Sequence, residues 1–153
     1  HTPQLCISRV NNRAARCFLV ADEGIVVDAN FSTLWTTTGG RKRVYAMLAL
    51  LNSSWIQSYF ETIPAVMGGG ALKVVASHIR KLLLPMPTDE LIASLALLGR
   101  RLADGGPSES ERTLYEIDAA VLRSLLGIPR VDKERNGVRD YLQSKVDARH
   151  LRG

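Results

Sequence analysis

The segment VYAMLALLNSSWIQSYFETI, residues 44–63, decides the fold because apolar side chains recur along it at steps of three and four. That spacing places them on one face of an α-helix. The face comprises Val44, Met47, Leu48, Leu51, Trp55, Tyr59 and Ile63. Pro64 follows as a terminator. We therefore predict one long helix over residues 44–63, packed on a small sheet.

The residues before this helix have the pattern of short strands. In QLCISRV, residues 4–10, apolar and polar side chains alternate, which is typical of a half-buried strand. Residues 17–38 predict a strand, a tight Asp-Glu-Gly turn at residues 22–24, and two further strands. LKVVA, residues 72–76, predicts one more. The pattern indicates an α+β fold with a small mixed β-sheet packed by a long helix.

After Pro87 the pattern changes to three helical segments. Their predicted N-terminal caps are Thr88, Ser108 with Glu111 as a capping box, and Asp132. Gly137 weakens the last helix by about 1 kcal/mol relative to alanine. We therefore divide the chain into an α+β part, residues 1–87, and a helical C-terminal region, residues 88–153. The tail helices either extend the core of the first part or dock on another domain.

The composition favours a folded domain with a polyanionic partner. The chain has 153 residues, 46% of them hydrophobic, with a formal net charge of +5 and a pI near 9.6. Such an apolar fraction supports a real core. A positive surplus carried mainly by arginine favours nucleic acid. The alternative is that the charge only keeps a small domain soluble.

Cysteine usage and hydropathy indicate a cytoplasmic protein. Cys6 and Cys17 lack the spacing of a zinc site, so we interpret them as reduced, buried thiols. The longest apolar runs are far shorter than the roughly 20 residues that span a bilayer, so we expect no membrane partner. Because the chain begins at His1 without a methionine, we expect it to be a piece of a longer polypeptide.

The sequence lacks the motifs of common catalytic centres. The three histidines, His1, His78 and His150, stand in unrelated settings, and no set of His, Cys and carboxylate residues has metal-ligand spacing. Neither a nucleophile elbow nor a phosphate-binding loop is present. We therefore predict no catalytic residue, metal or cofactor in this chain. The alternative is a small enzyme whose site includes His78 or Asp28.

Three groups of basic residues lie at or next to loops between predicted strands. The first basic group is Arg9, Arg13 and Arg16, the second is Arg41, Lys42 and Arg43, and the third is Lys73, His78, Arg80 and Lys81. Such cations can neutralise phosphates, and nearby amides and hydroxyls can read base edges. The predicted DNA-binding set is these groups with Asn12, Thr37, Thr38 and Ser77. The alternative is that each group is a solvated turn.

Four segments occur in an order that resembles a known family. They are the β-rich start, YAMLALLNSSWIQSYF at 45–60, GGGALKVVASHIRKLLLPMP at 68–87 and IDAAVLRSLLGIP at 117–129. The order resembles the C-terminal target-recognition (specificity) domain of adenine-N6 DNA methyltransferases and of type I and IIG restriction–modification enzymes. The most similar pieces are an LLNS-like helix segment, an exit of the form L-P-x-P, and the helix that follows it. The similarity covers roughly residues 4–130.

The resemblance implies that the chain recognises double-stranded DNA on behalf of chemistry housed elsewhere. An N-terminal methyltransferase domain of the same parent chain would bind S-adenosylmethionine and flip out the target adenine. A nuclease elsewhere in the parent chain is also compatible with the resemblance. The fragment would not be catalytic alone. The glycines at 68–70 would allow a sharp turn or a close approach to DNA, and Pro85 and Pro87 would stiffen the passage to the helical region.

A second class of function is compatible with the same residues. The three tail helices could form a protein–protein interaction module in which the basic charge is incidental. Binding to duplex DNA that weakens steeply with salt would distinguish the two, because only phosphate contacts release condensed counterions.

Overall fold

The computed structural model describes residues 2–20, 26–63, 65–86 and 88–151, and it confirms the α+β class. The strands are β1 (Leu5–Ser8), β2 (Val10–Asn11), β3 (Cys17–Leu19), β4 (Phe31–Leu34), β5 (Ala65–Val66) and β6 (Leu72–Lys73). The helices are α1 (Gly40–Asn52), α2 (Ser54–Phe60), α3 (Ala76–Ile79), α4 (Asp89–Asp104), α5 (Pro107–Leu126) and α6 (Asp132–His150). The predicted turn at 22–24, Pro64 and Pro87 lie outside the described residues.

The described strands form two small sheets rather than the single mixed sheet predicted, and every described pair is antiparallel. The first sheet has the order β3–β1–β4, with Leu5 opposite both Leu19 and Leu34. The second has the order β2–β6–β5, with Val10 opposite Lys73. Strand β1 alternates buried and half-buried residues, as a period of two requires for a sheet with one face on the core.

The predicted long helix is two helices, α1 and α2, divided at Ser53. The backbone of Ser53 is extended, with φ −63° and ψ 147°. Its hydroxyl donates to the carbonyl of Leu50 at 2.7 Å and accepts the N–H of Ile56 at 3.3 Å, so it closes α1 and caps α2. The apolar periodicity runs on through this joint, which is why the pattern predicts a single helix. Helix α1 also begins earlier than predicted, at Gly40.

The helical region contains the three predicted helices, but α5 and α6 begin at residues other than those predicted. Thr88 caps α4 as predicted, its hydroxyl accepting a backbone N–H at 3.1 Å. Helix α5 begins at Pro107, so the capping box predicted at Ser108 and Glu111 is wrong. Proline suits a first helical position because the N–H it lacks would have no partner there. Asp132 is the first residue of α6 rather than its cap. None of the helices in the described ranges has the length and apolar content to cross a membrane.

One hydrophobic core joins the two predicted parts of the chain. Helix α1 packs along α4, α4 along α5, and α2 against α6. The core cluster contains residues from both sheets and from α1, α2, α4 and α5, among them Leu5, Ile7, Leu48, Leu51, Ile56, Leu72, Leu95, Ile117 and Val121. The tail helices therefore extend the core of the first part. The boundary between residues 87 and 88 stays a prediction about organisation.

Gly99 sets the distance between α1 and α4. A Cβ atom at Gly99 would overlap the carbonyl oxygen of Tyr45 and lie 2.7 Å from its carbonyl carbon. Both are backbone atoms of α1, which cannot rotate away as a side chain can. Glycine is therefore required in the middle of α4, because only a residue without Cβ permits this approach.

We expect Gly99→Ala to destabilise the protein by about 2–3 kcal/mol, because the added methyl group forces α4 away from α1. Gly137→Ala on α6 is the matched control. Nothing lies within 4 Å of a Cβ atom at Gly137, so the higher helix propensity of alanine should add up to about 1 kcal/mol. Urea denaturation measures both changes. Unchanged stability of Gly99→Ala would contradict the close packing of α1 on α4.

The two cysteines are free, and they face opposite sides of the first sheet. Cys17 lies opposite Ile7 on the buried face, whereas Cys6 lies opposite Phe18. Burial raises the pKa of the Cys17 thiol, which keeps the thiol protonated and unreactive. The buried-thiol prediction is confirmed for Cys17, while Cys6 is half-buried.

Candidate nucleic-acid interface

The net positive charge of the chain belongs to its first part. Residues 1–87 carry nine Lys and Arg against four Asp and Glu, whereas residues 88–153 carry eleven of each. The formal net charge of +5 therefore lies wholly in the α+β part. The helical region adds no net attraction for a polyanion.

The cations of the two parts also differ in their partners. The described ion pairs all use arginines of the helical region, namely Arg100, Arg101, Arg112, Arg135, Arg139 and Arg149. Across the ranges that the structure describes, none of the nine Lys and Arg residues of the first part pairs with a carboxylate, and all nine are exposed. No described carboxylate therefore neutralises their charge.

The first and third basic groups approach each other along β2 and β6. Strand β2 follows Arg9 directly and places Val10 opposite Lys73 on β6. The N–H of Val74 donates to the carbonyl of Arg9 at 2.8 Å, which extends the pairing by one residue. The rest of the first group follows β2, and the rest of the third group follows β6. This pairing brings Arg9 of the first group and Lys73 of the third into neighbouring positions on the two strands.

The second basic group lies at the N-terminal end of α1, whereas the first group lies near its C-terminal end. Residues 41–43 occupy the start of this helix rather than the predicted loop. The far end of α1 is fixed beside β3, because the Asn52 amide accepts from the N–H of Cys17 at 3.1 Å and donates to its carbonyl at 2.9 Å. Arg16 precedes Cys17. The 13 residues of α1 make it about 20 Å long, so roughly that distance separates the second group from the first.

The threonines of the predicted set lie in the loop that leads into α1. Thr37 and Thr38 are exposed, and the Thr38 hydroxyl accepts from Arg43 Nη1 at 2.9 Å. Gly39 has a positive φ of 85°, and a Cβ atom there would overlap the Arg43 side chain. The Arg43 side chain therefore lies over the backbone of this loop at Gly39.

The glycines before the third group form the sharp turn that the sequence predicts. Gly69 and Gly70 both have φ 75°, a conformation that favours glycine. The turn joins β5 to β6, and the N–H of Met67 donates to the carbonyl of Ala71 at 2.7 Å. A Cβ atom at Gly70 would lie 3.0 Å from the carbonyl oxygen of Arg149, so this turn packs against the end of α6.

The short helix α3 contains Ser77 and His78 of the predicted DNA-binding set. Ser77 lies inside α3, and Val75 precedes the helix. The Nδ1 atom of His78 accepts the N–H of Val75 at 3.3 Å, so the histidine rather than the serine supports the turn. His78 is half-buried, while Ser77, Arg80 and Lys81 are exposed. The three exposed side chains remain accessible to a partner.

Arg149 connects the loop of the first basic group to the glycine turn, a role that no sequence pattern predicted. Only 3% of its side chain and 2% of the Glu61 side chain are exposed, and two hydrogen bonds of 3.0 and 3.2 Å join them. The same guanidinium also donates to backbone carbonyls of two other segments, at Asn11, Asn12, Arg13 and Gly70. One side chain thus ties the loop of the first basic group to the glycine turn before the third.

Two segments that carry the family resemblance form polar joints inside the fold. Asn52 of the LLNS-like segment bridges α1 to β3, as described above. Asp118 of the later segment is 3% exposed and joins α5 to α2. Its carboxylate accepts from the N–H of Ser54 at 2.6 Å and from the Ser54 hydroxyl at 2.8 Å, and Arg139 contacts it at 3.4 Å. These residues fix α1 to β3 and α5 to α2.

Burial makes the Asp118 joint sensitive to pH. Desolvation raises the pKa of this carboxyl above its ordinary value near 3.8, despite the opposing hydrogen bonds from Ser54 and the charge of Arg139. A raised folded-state pKa means that the folded protein binds a proton more readily than the unfolded chain. The contribution of Asp118 to folding therefore becomes more favourable as pH falls through its folded-state pKa toward 3.8.

We expect wild type to gain stability relative to Asp118→Asn as pH is lowered from 7 toward 4. Asparagine can keep an acceptor for Ser54 but cannot titrate, so the difference between the two proteins isolates this carboxyl. Urea denaturation across that pH range measures it. A difference that stays constant, or that grows with rising pH, would show that burial does not govern this group.

A polar cleft lies between the first basic group and α6. It encloses about 750 Å³. Its lining includes Asn12, Arg13, Ala14, Arg16, Asn52, Ser54, Gln57, Leu114, Arg139, Leu142, Gln143, Val146, Asp147 and His150. The structure thus brings three residues of the predicted set together with α6 side chains that the sequence analysis did not select. No periodic signal could have selected them, because the cleft exists only once α6 packs back on the α+β part.

A smaller cavity of about 300 Å³ lies beside the second basic group. Trp35, Thr37, Thr38 and Arg43 line one side, and apolar residues of α1 and α4 line the other. Pro85 of the L-P-x-P segment also lines this cavity.

Comparison of the chain with protein-family models, with curated proteins and with solved structures found no match.

Proposed function

We propose that this chain is the part of a larger cytoplasmic adenine-N6 DNA methyltransferase, from a restriction–modification system, that recognises duplex DNA. The observation that carries the proposal is the set of exposed cations in residues 1–87 for which the structure describes no carboxylate partner. These cations would hold phosphates. Methyl transfer from S-adenosylmethionine would take place in an N-terminal domain of the same parent chain.

The arrangement of the basic groups supports a division of labour on the duplex. The first and third groups would form the main contact, because the β2–β6 pair brings Arg9 of the first group close to Lys73 of the third. The second group, about 20 Å away, would reach phosphates roughly six base pairs further along at 3.4 Å per pair. Asn12 and Thr38 stand beside these cations and could reach base edges once the phosphates fix the register.

The rival protein–protein module has less support from the packing. Leu91, Leu95 and Leu98 of α4, with Ile117 and Val121 of α5, are buried in the core of the chain itself. These apolar side chains of α4 and α5 are therefore already occupied by the core. Little of them remains for another protein.

Charge reversal of the second basic group tests the proposal. We expect Arg41→Glu/Lys42→Glu/Arg43→Glu to weaken duplex binding and to flatten the dependence of log Kobs on log salt by two to three, since each phosphate contact contributes about 0.9. Fluorescence anisotropy with a labelled duplex at several salt concentrations measures both effects. Circular dichroism checks that the fold is intact.

The matched control reverses three exposed cations of the helical region, as Arg130→Glu/Lys133→Glu/Lys145→Glu. It changes the net charge by the same amount, so a diffuse charge effect would weaken binding equally in both variants. We expect the control to retain most of the affinity. Equal losses in the two variants would remove the second group from the interface.

A further inference from the structure

The cleft between residues 12–16 and α6 has the dimensions of a ligand site rather than of a flat phosphate-contact surface. Its volume of about 750 Å³ falls within the roughly 300–1,000 Å³ that is usual for small-molecule sites. Its walls come from opposite ends of the chain, and Arg149 fixes their relative position through the carbonyls of Asn11, Asn12 and Arg13. The fold therefore forms the cleft, and Arg149 fixes the position of its loop wall relative to α6.

Three guanidinium groups line this cleft. Arg13 and Arg16 come from the loop, are exposed, and have no carboxylate partner among the described residues. Arg139 comes from α6 and is 31% exposed, and its contact with Asp118 is a long one of 3.4 Å. Guanidinium groups match the oxygens of a phosphate with paired, charge-assisted hydrogen bonds. The charge of these three side chains therefore favours a phosphate group as a ligand.

The rest of the lining suits a nucleobase. Leu114, Leu142 and Val146 supply aliphatic surface against which a flat ring can lie. Gln143 donates through Nε2 to Asp147 at 2.8 Å, so the amide offers its carbonyl oxygen as an acceptor. Such an acceptor can take the exocyclic amino group of adenine or cytosine. A simple anion would leave the aliphatic wall and this acceptor unused.

From these observations we propose that the cleft binds a single unpaired nucleotide. Arg13, Arg16 and Arg139 hold its phosphate, and its base lies against Leu142 and Val146. This goes beyond the proposed function, because gripping a paired duplex requires no unpaired nucleotide. A free nucleotide and a nucleotide extruded from a DNA strand present the same chemistry to the cleft.

Titration of the whole chain with deoxyadenosine monophosphate, followed by backbone amide shifts, tests the proposal. We expect saturable shifts in residues 12–16 and 139–150, and binding at least about tenfold weaker for inorganic phosphate, which lacks the base. Leu142→Trp, which fills the cleft without changing charge, should weaken nucleotide binding at least about tenfold. Arg16→Ala, at an exposed position, provides a second variant with the same expectation should the tryptophan disturb folding.

The matched control is Arg9→Ala, since Arg9 belongs to the same basic group but does not line the cleft. We expect it to bind the nucleotide as wild type does while binding duplex less tightly. Undiminished nucleotide binding in Leu142→Trp and Arg16→Ala, or equal affinity for phosphate and nucleotide, would overturn the proposal. So would a titration without saturation.

Duplex binding separates this inference from the proposed function. Leu142→Trp should bind paired duplex as wild type does, so loss of the nucleotide site alone leaves duplex recognition standing. Nucleotide binding without duplex binding would support the nucleotide site and contradict duplex recognition. A duplex with one unpaired adenosine should bind more tightly than the paired duplex if the nucleotide comes from a strand, whereas equal binding would assign the cleft to free nucleotides.

Discussion

Replacement of Arg149 by methionine should lower the free energy of unfolding by about 3–5 kcal/mol, the usual cost of removing one partner of a buried ion pair. Glu61 is 2% exposed in its side chain, so its charge would be left without a partner in the interior. The carbonyls of the 11–13 loop and of Gly70 would lose their donor as well. Urea denaturation measures the loss, which is large against a total stability of about 5–15 kcal/mol.

Two further variants identify the source of this loss. Lys133→Met removes an exposed cation from the same helix and should change stability by less than about 0.5 kcal/mol. The double variant Glu61→Gln/Arg149→Met removes both charges and should be more stable than Arg149→Met alone, because no uncompensated charge stays buried. A loss below about 1 kcal/mol for Arg149→Met would show that this residue does not tie the loop to the glycine turn.

The largest effect on binding is expected from the first and third basic groups together. Neutralising either set, as Arg9→Ala/Arg13→Ala/Arg16→Ala or as Lys73→Ala/Arg80→Ala/Lys81→Ala, should reduce the slope of log Kobs against log salt by about three. The combined variant should reduce it by about five and lower duplex affinity at least about a hundredfold. Anisotropy titrations at several salt concentrations give both quantities.

The stability of these variants should stay close to that of wild type, because all six side chains are exposed and form no described ion pair. A matching triple variant of the helical region, Arg130→Ala/Lys133→Ala/Lys145→Ala, should keep nearly all of the affinity. If one set of three carried the whole effect and the other none, the two groups would not share an interface.

Local rules account for much of the fold. Alternation of apolar and polar residues predicts β1, and the helical pattern after Pro87 predicts α4 and α5. Thr88 and the glycine turn at 68–70 also behave as their chemistry predicts. In each case the deciding interactions lie within a few residues along the chain, so a sequence pattern contains them.

The features that the sequence did not reveal depend on contacts distant along the chain. The break at Ser53 interrupts no apolar periodicity, and α2 is held from outside by Asp118 through Ser54. Arg149 resembles any other arginine of a charged helix until α6 packs beside Glu61. The second basic group belongs to the start of α1, and the length of α1 separates it from Arg16 of the first group. Proximity of these cations is a property of topology, which charge counting alone does not give.

The most direct test of the account is the affinity of the wild-type chain for duplex DNA as a function of salt concentration. The nine Lys and Arg residues of the three groups, if all neutralise phosphates, predict a slope of about −8 in log Kobs against log salt. Undetectable binding at low salt, or a slope near zero, would contradict the central claim that the exposed cations of residues 1–87 grip a double helix.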